Sequence, residues 1–122
     1  MTPEGRVKLA VDKVLVGAKA YKHKPVMNGM GAPALDYHVC HRGIYAAIET
    51  KARDKKPTVR QVRTMKDIVA AGGAVFLVDS DDGKDFAQLQ GWLLQPIPGF
   101  VSNLAHRALN SKEFVDDSTC DD

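Results

Sequence analysis

Apolar residues recur at Val7, Ala10, Val11, Val14 and Leu15, the spacing of one face of a helix. Thr2 and Pro3 precede them as an N-cap residue and a first-turn proline, so the pattern predicts a helix from Glu4 to about Val16. From Ala20 to Val26 the period shortens to two, with Lys22 and Lys24 in alternation, as in a soluble edge strand. The run from Pro25 to Leu35 is punctuated by Gly29, Gly31 and Pro33 and reads as a loop that delivers Asp36 to a strand. Tyr37 to Cys40 form that strand, His41-Arg42-Gly43 the turn, and Ile44 to Ile48 the return. Ile44, Ala46 and Ile48 then face one way, and Tyr45, Ala47, Glu49 and Lys51 the other. Thr58 caps a second helix that runs to about Ala71, buries Val62, Met65, Ile68 and Val69, and stops at Gly72-Gly73. The unbroken apolar run Ala74 to Val78 predicts a central strand buried on both faces. Lys84 to Leu94 follow as a helix with Phe86, Leu89, Leu93 and Trp92 inward. The order is α-β-β-β-α-β-α, an α/β sandwich built on a mixed sheet. Residues 1–95 form the domain. Residues 96–122 form a C-terminal extension: a linker at Pro96–Gly99, a short helix over Phe100–Leu109 and an acidic tail from Asp116 to Asp122.

A chain of 122 residues suffices for one core. It has no signal-peptide pattern and no apolar stretch of bilayer length, so no membrane association is expected. Cys40 and Cys120 stand far apart and suggest no disulfide framework, which suits a reducing cytoplasm. Charge adds more. The formal net charge of +2 conceals a division: residues 1–66 carry 14 Lys and Arg against 5 Asp and Glu, and residues 67–122 carry 3 against 10. A basic half is what a polyanion-binding protein presents.

Within that half lies one combination with chemical meaning. A hairpin can bring Asp36 beside Glu49 and Lys51, placing two carboxylates and an ammonium around one point. Two acidic oxygens suit a hard divalent cation, and a lysine can orient an attacking water, a set fitted to phosphodiester hydrolysis. The bare Glu-x-Lys spacing equally fits a solvated strand edge, and only its setting favours the chemical reading. Lys22 and Lys24 on one side of this point, and Arg53, Lys55, Lys56, Arg60 and Arg63 on the other, are candidates to track a nucleic-acid backbone, the alternative being ordinary solubilising charge. His38, Cys40 and His41 do not make a zinc site, since residues 38 and 40 share a strand face that 41 opposes and no fourth ligand stands at a usual spacing. His38 shares the Asp36 face and is within reach of bound DNA there, although a structural or surface role is the simpler reading. The glycine-rich run at 28–33 lacks the Lys-Ser/Thr of a P-loop.

The segments Thr2-Pro3-Glu4-Gly5-Arg6, Asn28 to Pro33 with Asp36, Ile48-Glu49-Thr50-Lys51, Lys56 to Gln61, and Ala70 to Gly73, in that order, resemble the VRR-NUC (virus-type replication-repair nuclease) family of the PD-(D/E)xK nuclease superfamily. The likeness covers roughly the first 95 residues. It implies a restriction-endonuclease-like core and Mg²⁺- or Mn²⁺-dependent DNA cleavage by Asp36, Glu49 and Lys51. It also implies metal support from Glu4, a site-lining role for Gln61, and the Thr50 backbone carbonyl as a further ligand. Leu35 stands where the superfamily usually has proline, and Thr50 where it has a bulkier apolar residue whose side chain points away from the site. The chain's size resembles the small stand-alone phage and bacterial members, which implies a homodimeric Holliday junction resolvase acting on branched DNA in DNA repair, in the host cytoplasm if phage-encoded. The alternatives are a flap or single-strand nuclease, a restriction-type enzyme, or a DNA-binding module of the same fold that does not cleave.

Overall fold

The computed structural model describes residues 1–26, 34–53 and 55–98. Helix α1 spans Pro3–Gly17, and strands β1 (Tyr21–His23), β2 (Tyr37–His41) and β3 (Ile44–Thr50) follow. Helix α2 (Val59–Ala70), strand β4 (Ala74–Val78) and helix α3 (Lys84–Leu94) complete the order, which is the one the hydrophobic pattern predicts. The strands form one sheet in the order β1-β2-β3-β4, antiparallel except for the parallel pair β3-β4.

Alternation along β3 divides the core in two. Ala46 and Ile48 face α1 and α3 and join Val7, Val11, Leu15, Phe76, Leu89 and Trp92 in the larger cluster. Ala47 faces α2 and packs with Leu35, Met65, Val75 and Leu77. Each fully buried aliphatic side chain contributes roughly 1.5–3 kcal/mol, so β3 is held from both layers. Its C-terminal end, carrying Glu49 and Thr50, is therefore a rigid platform.

Three details differ from the pattern's expectations. Strand β1 keeps only three residues of the predicted Ala20–Val26. The hairpin turn is two residues, not three: His41 pairs with Ile44, leaving Arg42 (φ 52°) and Gly43 (φ 82°) to make the left-handed turn such hairpins require. His41 is pulled into the strand because its Nε2–H donates to Leu93 O (2.7 Å), while Arg42 Nη1 donates to Leu94 O (3.1 Å), so the hairpin satisfies the last carbonyls of α3. Finally, β4 is the last strand of the described sheet rather than a central one. Its apolar run records that α2 and α3 cover its two faces, which says nothing about how many strands flank it. The expected helix over 100–109 and the acidic tail lie outside the described residues, as does most of the loop before Asp36. Among the described residues no helix is long and apolar enough to cross a membrane.

Candidate active site

The site forms where β2 begins and β3 ends. The strand register pairs Tyr37 with Ile48, so Asp36, just before β2, comes level with Glu49. The backbone N–H of Asp36 donates to Glu49 Oε1 (3.3 Å). Lys51 follows β3 directly, its N–H donates to Val78 O (3.0 Å), and its Nζ lies 3.6 Å from Glu49 Oε2. The structure thus brings Asp36, Glu49 and Lys51 together.

Gln61 joins them from α2 through a capping box. Thr58 N–H donates to Gln61 Oε1 (2.9 Å), and Gln61 N–H donates to Thr58 Oγ1 (3.1 Å). With its carbonyl oxygen occupied by the cap, the amide turns its nitrogen outward, and Nε2 donates to Glu49 Oε2 (2.7 Å). The Thr-x-x-Gln spacing at 58–61 was a legible sign of this double duty.

Glu49 is 3% exposed, and burial, reinforced by the charge of Asp36, pushes its carboxyl up to about 7 against the pull of Lys51 and of the Asp36 N–H. A buried carboxylate raised this far is short of positive charge, and a cation beside it would supply it. The oxygens at hand suit a hard ion. They comprise the two carboxylates and the Thr50 carbonyl. The trans peptide that sends Lys51 N–H to β4 aims this carbonyl the opposite way, towards the β2 side where Asp36 sits. Among the described residues no cluster of three or more His, Cys, Asp or Glu side chains could hold a metal, so such a site rests on two carboxylates and main chain.

Two side-chain contributions go beyond the sequence reading, those of Lys8 and of the Thr50 hydroxyl. Lys8 of α1 lies 3.9 Å from Asp36 Oδ1 and 3.4 Å from Glu4 Oε2, so Glu4 reaches the carboxylate pair through Lys8. Tyr37 fixes that turn of helix by donating its hydroxyl to Lys8 O (3.1 Å). The i,i+4 spacing of Glu4 and Lys8 could have signalled the pair. Thr50 is the second. Its side chain lies on the face opposite Glu49, as alternation requires. Yet Asp36 sits at the very end of the sheet, and Thr50 Oγ1 donates to its Oδ2 (2.7 Å) alongside Thr50 N–H (2.8 Å). The expectation that this side chain points away from the site is therefore corrected.

The basic candidates distribute unevenly. Lys22 and Lys24 both turn to Asp12 of α1, at 3.6 and 2.9 Å, and Lys24 also lies 5.3 Å from the centre of the Tyr37 ring. Arg53 pairs with Asp82 of the loop after β4 (3.3 Å), both well exposed. Lys55, Lys56, Arg60 and Arg63 are exposed on the loop and first turns of α2 that adjoin Gln61. His38 stays away from the carboxylates: its Nδ1 is hydrogen-bonded to the Tyr45 hydroxyl (2.7 Å), in a cleft of about 600 Å³ between the hairpin and α2.

No protein-family model matches this chain, and no curated protein sequence does either. Among solved structures it is similar to one described as a VRR_NUC domain, with 24% identity and a TM-score of 0.62, over 80% of this chain and 100% of that one. The four-stranded mixed sheet with its flanking helices is thus the restriction-endonuclease-like fold of a VRR_NUC domain.

Proposed function

We propose that this protein is a metal-dependent, structure-selective DNA endonuclease of the Holliday junction resolvase type. The observation that carries the reading is the convergence of the buried Glu49 with Asp36 and Lys51 where β2 begins and β3 ends. In this fold, such a trio is suited to phosphodiester hydrolysis. Asp36, Glu49 and the Thr50 carbonyl would hold Mg²⁺ or Mn²⁺. Such a cation, when bound, offsets charge developing on the phosphoryl oxygens and acidifies nearby water.

The chain's own groups do the rest. Gln61 fixes the Glu49 carboxylate by its amide, so its orientation is set before substrate binds. Lys51, held beside Glu49 and little exposed, donates a hydrogen bond to the attacking water and keeps it in line with the scissile bond. The water oxygen joins phosphorus and gives a proton to bulk water as the bond to O3′ breaks, and O3′ takes a proton from solvent, leaving a 5′-phosphate and a 3′-hydroxyl. Glu4 steadies Lys8, which balances the charge of Asp36 and stands ready for a phosphate oxygen. Lys55, Lys56, Arg60 and Arg63 extend this cationic border along the DNA, with Arg53 joining when it leaves Asp82, and Lys22 and Lys24 when they leave Asp12. Two symmetric cuts across a four-way junction need two such sites, hence a two-fold homodimer.

The test is incubation of the full chain with end-labelled duplex, flap, splayed-arm and four-way-junction DNA in Mg²⁺, Mn²⁺, Ca²⁺ or chelator. Paired symmetric nicks at the junction in Mg²⁺ or Mn²⁺, and none in chelator, are expected. Cutting confined to flaps or single strands would replace the resolvase assignment, and binding without cutting in any metal would leave a DNA-binding module.

A further inference from the structure

The two oxygens of Asp36 stand in different positions. Oδ2 receives both the Thr50 N–H at 2.8 Å and the Thr50 hydroxyl at 2.7 Å. A carboxylate oxygen offers about two lone-pair directions, so these two donors occupy it fully. Among the described residues Oδ1 has only Lys8 Nζ at 3.9 Å, beyond hydrogen-bonding distance. Thr50 is completely buried at the end of β3, and its branched side chain has a restricted χ1. Turned away from Asp36, its hydroxyl would lose its acceptor inside the protein, which is costly, so rotamer and contact hold each other in place.

We propose that Thr50 is a positioning residue that fills one oxygen of Asp36 and thereby presents the other, Oδ1, as a single-oxygen ligand for the divalent cation. This rests on the metal-site reading above and adds to it a role for the side chain at the middle of Glu49-Thr50-Lys51. An apolar residue there would leave the main-chain N–H to hold Asp36 alone. The carboxylate could then swing about its bond to Cβ, and both oxygens would compete for the ion. Thr50 also carries the carbonyl that points to the same side, so one residue makes two contacts to Asp36, through its N–H and hydroxyl, and offers its C=O beside them.

Four variants of the full chain separate hydroxyl from volume: Thr50→Val, Thr50→Ser, Thr50→Ala and, as a control, Asp36→Asn. Mn²⁺ affinity is read by electron paramagnetic resonance of the free ion, and folding stability of the metal-free protein by urea titration. Thr50→Val keeps the volume but should bind Mn²⁺ about tenfold more weakly, the usual scale for losing a group that orients a ligand. Thr50→Ser lacks the methyl and should lose stability while keeping wild-type Mn²⁺ affinity. Should Thr50→Val fail to fold, the Ser and Ala variants, which differ only in the hydroxyl, give the same comparison. Equal Mn²⁺ affinity with and without the hydroxyl overturns the role of Thr50 and leaves the metal site standing. A wild-type protein that binds no Mn²⁺ overturns both.

Discussion

Glu49 should make divalent-metal binding release protons in a defined pH window. Its carboxyl is raised by burial and by Asp36 from an ordinary 4.5 to about 7. A metal ligand must be ionised, so binding drives off whatever proton Glu49 still holds. With a midpoint near 7, release should be about 0.9 proton per site at pH 6, about 0.5 at pH 7 and about 0.1 at pH 8. Affinity should rise about tenfold per pH unit below that midpoint and level off above it. The same shift governs stability of the metal-free protein. Below about 4.5 Glu49 is protonated in both folded and unfolded chains. Between there and 7 only the unfolded chain ionises, so stability falls as pH rises through the window, by about 3 kcal/mol in all. His38 runs the other way. Burial and His23 hold it below its ordinary value, so its contribution is lost as pH falls. The difference between wild type and Glu49→Gln isolates the glutamate. Calorimetry of Mn²⁺ binding in buffers of unequal ionisation enthalpy counts the protons, and urea titration in chelator at pH 5 and pH 8.5 gives the slope. Near-zero release at pH 6, or a Glu49→Gln variant with the wild-type stability slope, would refute the reasoning.

Replacing Lys55 and Lys56 by alanine should flatten the slope of log K against log salt for DNA binding by roughly 0.9 per lost phosphate contact, measured by anisotropy; an unchanged slope returns them to solvated surface. Gln61→Ala removes half a capping box and the amide on Glu49, and should lower stability by roughly 1–3 kcal/mol in urea titration. A mixed dimer of wild-type and Asp36→Asn chains, isolated by two tags, should nick a cruciform plasmid where the wild-type dimer linearises it. Linear product from the mixed dimer would argue against one site per chain.

The elements and their order were legible because each carries its own period: helical on α1 and α2, alternating on β3, continuous on β4. The meeting of Asp36, Glu49 and Lys51 was legible too, since a hairpin has one register that keeps Tyr37, Val39, Ala46 and Ile48 in the core. What local pattern cannot carry is what one element meets on another. Lys22 and Lys24 read as free edge charges until α1 lays Asp12 between them. Lys8 is one more lysine on an amphipathic helix until packing of α1 carries it to Asp36. The Thr50 hydroxyl escaped for a related reason. Alternation assigns it a face correctly, but at the end of a sheet a side chain from the preceding loop reaches either face. The position of β4 was missed because an apolar run reports covered faces and leaves edges unstated.

The central claim, that Asp36 and Glu49 with Lys51 cut DNA through a bound cation, is tested most directly by one comparison. Wild-type and Asp36→Asn proteins are incubated with the same end-labelled four-way junction in Mg²⁺, with binding followed in parallel in Ca²⁺. Wild type should yield symmetric products bearing 5′-phosphates, and Asp36→Asn should bind the junction while releasing none. Equal cleavage by the two proteins, or no cleavage by wild type of any DNA form in Mg²⁺ or Mn²⁺, would contradict the account.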